Sequence, residues 1–213
     1  MTKEERLQKE IEDWHQKLVL DFTYHGKKKI LVGVDEVGRG PLAGPVVAAA
    51  VILPYEVDLV GVKDSKLISE KKREQLFDEI TNKSVAIGIG VVNENIIDEI
   101  NILQATFEAM KIALVDLNHN FDIILVDGNM CIPNIEKKQY SIVGGDNKSA
   151  SISAASIIAK VTRDRIMKAF AKEYPYYDWE KNKGYGTKNH YVGIEQYGIT
   201  PIHRKSFLKS VKL

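Results

Sequence analysis

Apolar positions along the chain follow two periods. Short runs rich in Val and Ile at residues 30–34, 46–53, 84–92, 121–126 and 139–143 read as five strands. Helical spacing appears in residues 2–20, where Leu7, Ile11, Trp14, Leu18 and Val19 alternate with Lys and Glu. It recurs in residues 101–117, where Leu103, Phe107, Met110, Ala113, Leu114 and Leu117 share a face, after a short helical turn at 93–100. Residues 69–81 form a further helix with Ser69 at its N-cap; Lys72 stands where a capping box would have an acid. Residues 149–173 predict a long helix whose first half is apolar and small, hence buried, and Pro175 stops it. A last helix is expected near 189–197. Hairpin-like connections come first and crossover helices later, which predicts an α/β fold with a five-stranded mixed sheet flanked by helices. Three segments follow: an N-terminal helical extension and linker at 1–29, a main domain at 30–175, and a C-terminal helical appendage at 176–213.

Composition narrows the class. The chain has 213 residues, 44% hydrophobic and 28% charged, with a formal net charge of +1. That profile suits a soluble globular protein, and no global charge announces a polyanion partner. The single cysteine, Cys131, excludes an internal disulfide and a multi-cysteine zinc site. It is expected to be a small buried hydrophobe. The charged N-terminus does not read as a signal peptide, and no apolar run reaches the length of a membrane span. The expectation is a cytoplasmic monomer.

The candidate chemistry is acidic. Asp35 and Glu36 end the first strand, Asp127 ends the fourth, and Asp146 follows the fifth, just before the long helix. Adjacent strand residues point to opposite faces, so for Asp35 and Glu36 to serve one site the backbone must leave strand geometry there, which Gly38 and Gly40 permit. Catalytic groups in α/β folds gather beyond the carboxyl ends of strands. Four carboxylates meeting there would need protons or cations to coexist, and hard oxygen ligands favour magnesium or manganese over zinc. Two such ions about 4 Å apart would suit phosphodiester hydrolysis. Taken singly, Asp127 reads equally as a turn residue, and Asp146 as an acid at a helix N-terminus. Asp164 reads as a surface ion-pair residue, and Asp64 as a turn residue or a contributor at the edge of the site. His190 and His203 read as structural. Gly38, Gly40 and Gly44 miss the dinucleotide fingerprint, and no phosphate loop is present.

The chain resembles the ribonuclease HII family. The matching residues are DEVGRGPLAGPVV at 35–47, DSK at 64–66, VDG at 126–128, GGDNKSASISAASIIAKVTRD at 144–164, GYGT at 184–187 and PIHRKSF at 201–207. Arg39 between its glycines distinguishes the chain from the related type HIII enzymes, which carry Lys there. The resemblance implies a ribonuclease H-like fold and endonucleolytic hydrolysis of RNA in RNA–DNA hybrids. It also implies incision 5′ of single ribonucleotides embedded in duplex DNA, leaving 3′-hydroxyl and 5′-phosphate ends. The family's four acids fall on Asp35, Glu36, Asp127 and Asp146, holding two divalent ions. Gly38, Arg39 and Gly40 match its sensor of the 2′-hydroxyl, and Tyr185 its stacking residue at the ribo–deoxyribo junction. Lys66, Lys148, Lys181, Lys183 and Lys188 are candidate phosphate contacts. His203 and Arg204 match a motif with no role assigned. Two other readings stay open: a silent nucleic-acid binding module on the same fold, and an unrelated phosphate-ester hydrolase.

Overall fold

The computed structural model describes residues 2–26, 28–62, 65 and 68–208. Strand β1 (Leu31–Val37) pairs antiparallel with β2 (Val46–Ile52), and β3 (Ala86–Val92) adds antiparallel to β2. On the other side of β1, strand β4 (Ile123–Asp127) pairs in parallel, and β5 (Lys138–Ile142) pairs in parallel with β4. The result is one mixed sheet of order β3-β2-β1-β4-β5, as the order of elements predicts. The helices are α1 (Lys3–His25), α2 (Glu70–Lys83), α3 (Glu94–Asp116), α4 (Ala150–Glu173), α5 (Trp179–Asn182) and α6 (Lys188–Tyr197).

Both faces of the central strands are covered, which is why they read as unbroken apolar runs. Val32, Val34, Ala48, Ala50 and Val126 pack against Ala109, Met110 and Ala113 of α3. Val47, Ala49 and Val51 pack on the opposite face, against Ala154, Ala155 and Ile158 of α4 and Leu76 and Ile80 of α2. The approach is close. A Cβ at Gly90 would lie 1.9 Å from the Ala109 carbonyl, so α3 rests its backbone directly on β3. A third cluster, including Leu42, Met167, Tyr177, Trp179 and Ile194, fastens the C-terminal helices to α4 and to the loop after β1. Among the described residues, no helix is long and apolar enough to cross a membrane.

Several expectations change. β1 does not break at its acids: it runs through Val37, with Asp35 opposite Ala49 and Glu36 opposite Ala48. Helix α1 extends to His25 and buries a mixed face of Trp14, Lys17 and Asp21, while Leu7 and Val19 are exposed. Trp14 and Leu18 of the expected apolar face do pack on the domain, and Lys17 and Asp21 join them because they meet partners remote in sequence. Cys131 is exposed, on the segment between β4 and β5. Asp64 and Lys66 lie outside the described residues.

Candidate active site

The site opens where pairing runs out. β4 accompanies β1 only as far as Val34, paired with Val126. Beyond that point β1 has β2 on one side and a cleft on the other. Asp35, Glu36, Asp127 and Asp146 all line this cleft, whose volume is about 360 Å³. Asp35 and Glu36 share it without a break in the strand, because the cleft wraps around the open edge of β1. Asp127 is the last residue of β4. Gly144, in the left-handed region at φ 66°, turns the chain into a single 3-10 turn at Gly145–Asn147. Asp127 Oδ1 accepts from the amides of Gly145 at 2.7 Å and Asp146 at 3.4 Å, which ties the fourth acid to the third. Size does not single out this cleft: one of about 500 Å³ runs along α1. Its donor set does.

Burial holds the Asp35 carboxyl well above the ordinary carboxylate range, and the nearby Glu36 and Asp127 push it further. The Ser156 hydroxyl and the Glu36 amide, 2.7 Å from Asp35 Oδ1, pull the other way. Burial also raises Glu36, opposed by Arg39, whose guanidinium lies 3.5 Å from Glu36 Oε1, and reinforced by Asp127. Buried acids raised in this way are stabilised by a cation, and four carboxylates with no Cys or His suit a hard divalent ion. The acids line the walls of the cleft: among the described residues, no three His, Cys, Asp or Glu side chains form a metal-sized cluster as they stand.

The rim is the loop after β1. Gly38 has φ 97°, and a Cβ there would fall 2.2 Å from Arg163 Nε and 2.8 Å from the Pro45 carbonyl. At Gly40 a Cβ would meet only the Tyr185 ring, at 3.6 Å. Two buried arginines hold this loop. Arg204 donates to the carbonyls of Gly38 at 2.6 Å, Arg39 at 3.1 Å and Gly44 at 2.9 Å. Arg163 donates to those of Ala43, Pro45 and Lys183. Residues 202–204 also pair with the loop through main-chain bonds, Gly44 to Ile202 and Arg204 to Leu42. The segment 201–207, which the sequence leaves without a role, is therefore the brace of the Gly38–Arg39–Gly40 loop.

Tyr185 is 45% exposed and lines the cleft across from the acids. Its carbonyl accepts from His190 Nδ1 at 2.9 Å. His190 Nε2 in turn faces Trp179 Nε1 at 3.0 Å and His203 Nε2 at 3.1 Å. His203 Nδ1 accepts from the Thr200 amide at 2.9 Å. Only one proton arrangement satisfies this chain: His190 carries its proton on Nδ1, His203 on Nε2, and both rings are neutral. Burial lowers both pKa values, and with His190 beside it His203 falls to about 4. These are structural histidines, as expected.

The lysines diverge. Lys148 points away from the acids and donates to the Val143 carbonyl at 2.7 Å. Lys183 is buried, bonded to the Glu180 carbonyl and 3.9 Å from Glu70. Lys181 and Lys188 are exposed, Lys181 lying 3.9 Å from Asp178. Four other residues, to which the sequence assigns no role of their own, line the cleft: Ser65, Arg73, Ser156 and Lys160. Asp164 is buried, not a surface residue. It pairs with Lys160 at 2.7 Å and Arg73 at 3.7 Å, and so holds both cations at the wall of the cleft, where Arg73 also donates to the Ser65 and Ile68 carbonyls. The spacing Ser156, Lys160, Asp164 places one residue per turn on one face of α4. That signal was available in the sequence.

The ribonuclease HII family model matches residues 32–210. A ribonuclease HII from Enterococcus faecalis is 51% identical over 187 residues, covering 88% of this chain and 72% of that protein. One from Acetivibrio thermocellus is 54% identical over 188 residues, 88% of this chain and 73% of that protein. One from Listeria monocytogenes is 49% identical over 213 residues, 99% of this chain and 80% of that protein. Among solved structures, ribonuclease H2 from Pyrococcus horikoshii superposes with a TM-score of 0.69 at 30% identity, covering 83% of this chain and 93% of that one. Ribonuclease HII from Archaeoglobus fulgidus, solved as a complex with PCNA, superposes with a TM-score of 0.73 at 26% identity, covering 85% and 95%. With its family model matched over residues 32–210, this chain belongs to the ribonuclease HII family and is a hydrolase of the ribonuclease H type.

Proposed function

We propose that this protein incises duplex DNA 5′ of single embedded ribonucleotides, in addition to the endonucleolytic cleavage of RNA in RNA–DNA hybrids that comes with its family. The observation that supports it is the meeting, in one cleft, of four carboxylates and Tyr185, with Arg39 reaching Glu36 at 3.5 Å and Gly40 facing the Tyr185 ring. Asp35, Glu36, Asp127 and Asp146 would hold two divalent ions. When bound, such ions activate a water and stabilise the leaving oxygen of a phosphodiester. The protein's own groups supply position and selectivity. Asp127 fixes the turn that carries Asp146. Arg73 and Lys160, held at the cleft wall by Asp164, would offer contacts to a phosphate. The rim brings main chain near the sugar, and the 2′-hydroxyl is the group that tells RNA from DNA. Tyr185 offers an exposed ring for stacking on the next base pair.

The test is a duplex with one ribonucleotide, incubated with magnesium or manganese beside an all-DNA duplex. One cut on the 5′ side of the ribonucleotide, leaving 3′-hydroxyl and 5′-phosphate ends, is expected. The all-DNA duplex stays intact. Equal cleavage of both duplexes, or cleavage of a long hybrid with none at the single ribonucleotide, would refute the reading.

A further inference from the structure

Helix α1 lies outside the segment that the family model matches, yet it reaches the site. Three residues on one of its faces, spaced three and four apart, insert into the domain. Trp14 Nε1 donates to the Val57 carbonyl at 2.8 Å. Asp21 Oδ2 accepts from the Ser151 amide at 2.8 Å, in the first turn of α4. Between them Lys17, only 4% exposed, donates to the Val62 carbonyl at 3.1 Å, Ser153 Oγ at 2.7 Å and the Asp146 carbonyl at 3.3 Å. Among the described residues, these three acceptors meet the three donors of the ammonium. Ser153 Oγ also lies 2.6 Å from the Asp146 carbonyl.

We propose that Lys17 is a positioning residue for Asp146, and that through it the N-terminal helix sets how tightly the acidic cleft holds a divalent cation. This rests on the reading of Asp146 as an ion ligand. The turn at Gly145–Asn147 is only three residues long. It is tied on the cleft side by Asp127, through the amides of Gly145 and Asp146. On the far side its carbonyl is tied by Lys17 and Ser153. Two opposed ties fix the peptide planes on either side of Asp146, and with them the direction of its side chain. Releasing the rear tie leaves the carboxylate in the cleft, still bonded by the Asn147 side chain at 3.2 Å, but with its peptide less firmly set, and outer-shell contacts of this kind are worth about 10–100-fold in metal affinity.

The experiment uses the full chain and Mn²⁺ alone. Melting temperature is recorded against Mn²⁺ concentration for wild type, Lys17→Met, Lys17→Arg, Asp127→Asn and Asp146→Asn, with cleavage of a ribonucleotide-bearing duplex measured in parallel. Lys17→Met is expected to need about 10-fold more Mn²⁺ for half of the thermal shift and for half-maximal cleavage. Lys17→Arg, which keeps the donors, recovers most of the loss. A Lys17→Met protein that melts lower without metal but keeps wild-type Mn²⁺ half-saturation has lost only a structural contact, and the proposal falls. If Asp127→Asn and Asp146→Asn themselves leave the Mn²⁺ shift intact, the assignment of the acids has failed, and the proposal with it. Should Lys17→Met not fold, Ser153→Ala removes the second rear tie and is expected to shift half-saturation the same way; no shift overturns the proposal.

Discussion

Gly38 and Gly40 lack side chains for different reasons. At Gly38 the positive φ and the Arg163 side chain leave no space for a Cβ. At Gly40 the Cβ of an alanine would touch only the Tyr185 ring at van der Waals distance, so the free protein tolerates it. Gly38→Ala is therefore expected to destabilise the fold by about 1–3 kcal/mol, the usual cost of overpacking. Gly40→Ala should leave stability within about 0.5 kcal/mol while cutting cleavage at a single ribonucleotide, because the space it fills faces the cleft rather than the core. Thermal melts and cleavage rates for the two variants separate the cases. A large stability loss in Gly40→Ala with normal cleavage of the folded fraction would reverse the assignment. From the sequence the two glycines look equivalent; the positive φ at Gly38 and the Arg163 side chain packed against it tell them apart.

At the scale of elements, α3 shows how much a local pattern can carry. The sequence reads a short turn at 93–100 and a helix from 101. The structure has one helical element with a break at Asn101, where φ is 68°. The Asn101 side chain accepts from the amides of Leu103 and Gln104 at 3.0 and 3.2 Å, capping the second half. The Asn101 cap holds its residue in a backbone conformation, φ 68° and ψ 164°, that otherwise favours glycine. Asn101→Ala loses that cap and keeps the unfavourable conformation, and should cost about 1–3 kcal/mol. Asn101→Gly loses only the cap and should cost less, which chemical denaturation can rank. The burial of α4 was legible in the same way, from its run of small residues. That its Asp164 is buried too was not, because the partner Arg73 belongs to α2 and packing alone brings the two helices together.

Across the whole molecule, the C-terminal helices hold the rim of the cleft in place by way of the His190–His203 pair. Both rings must be neutral, since each acceptor nitrogen already faces a donor. His203 falls from the ordinary histidine value of 6.5 to about 4, through burial and then the proximity of His190. An unfolded chain takes up these protons near 6.5 and the folded one does not. The pair thus contributes stability that is fully present above about pH 6.5 and lost as pH falls toward 4. Melting temperature should drop across that window, and His203→Gln should drop less. Equal profiles would show that the pair does not govern the acid response.

The sequence by itself determined the strands and their mixed order, the helices that cover them, the four acids at strand ends and the family motifs. Each of these is a local signal: a period, a cap, a spacing, a short match. The tertiary structure alone decided which face of α1 is buried and that β1 stays regular beneath its two acids. It also decided that Lys148 and Lys183 bond main-chain carbonyls and that Arg163, Arg204 and Lys17 work from inside the protein. A buried charge is stable only where carbonyls and carboxylates converge on it, and for Arg163, Arg204 and Lys17 most of those partners lie more than a hundred residues away in sequence.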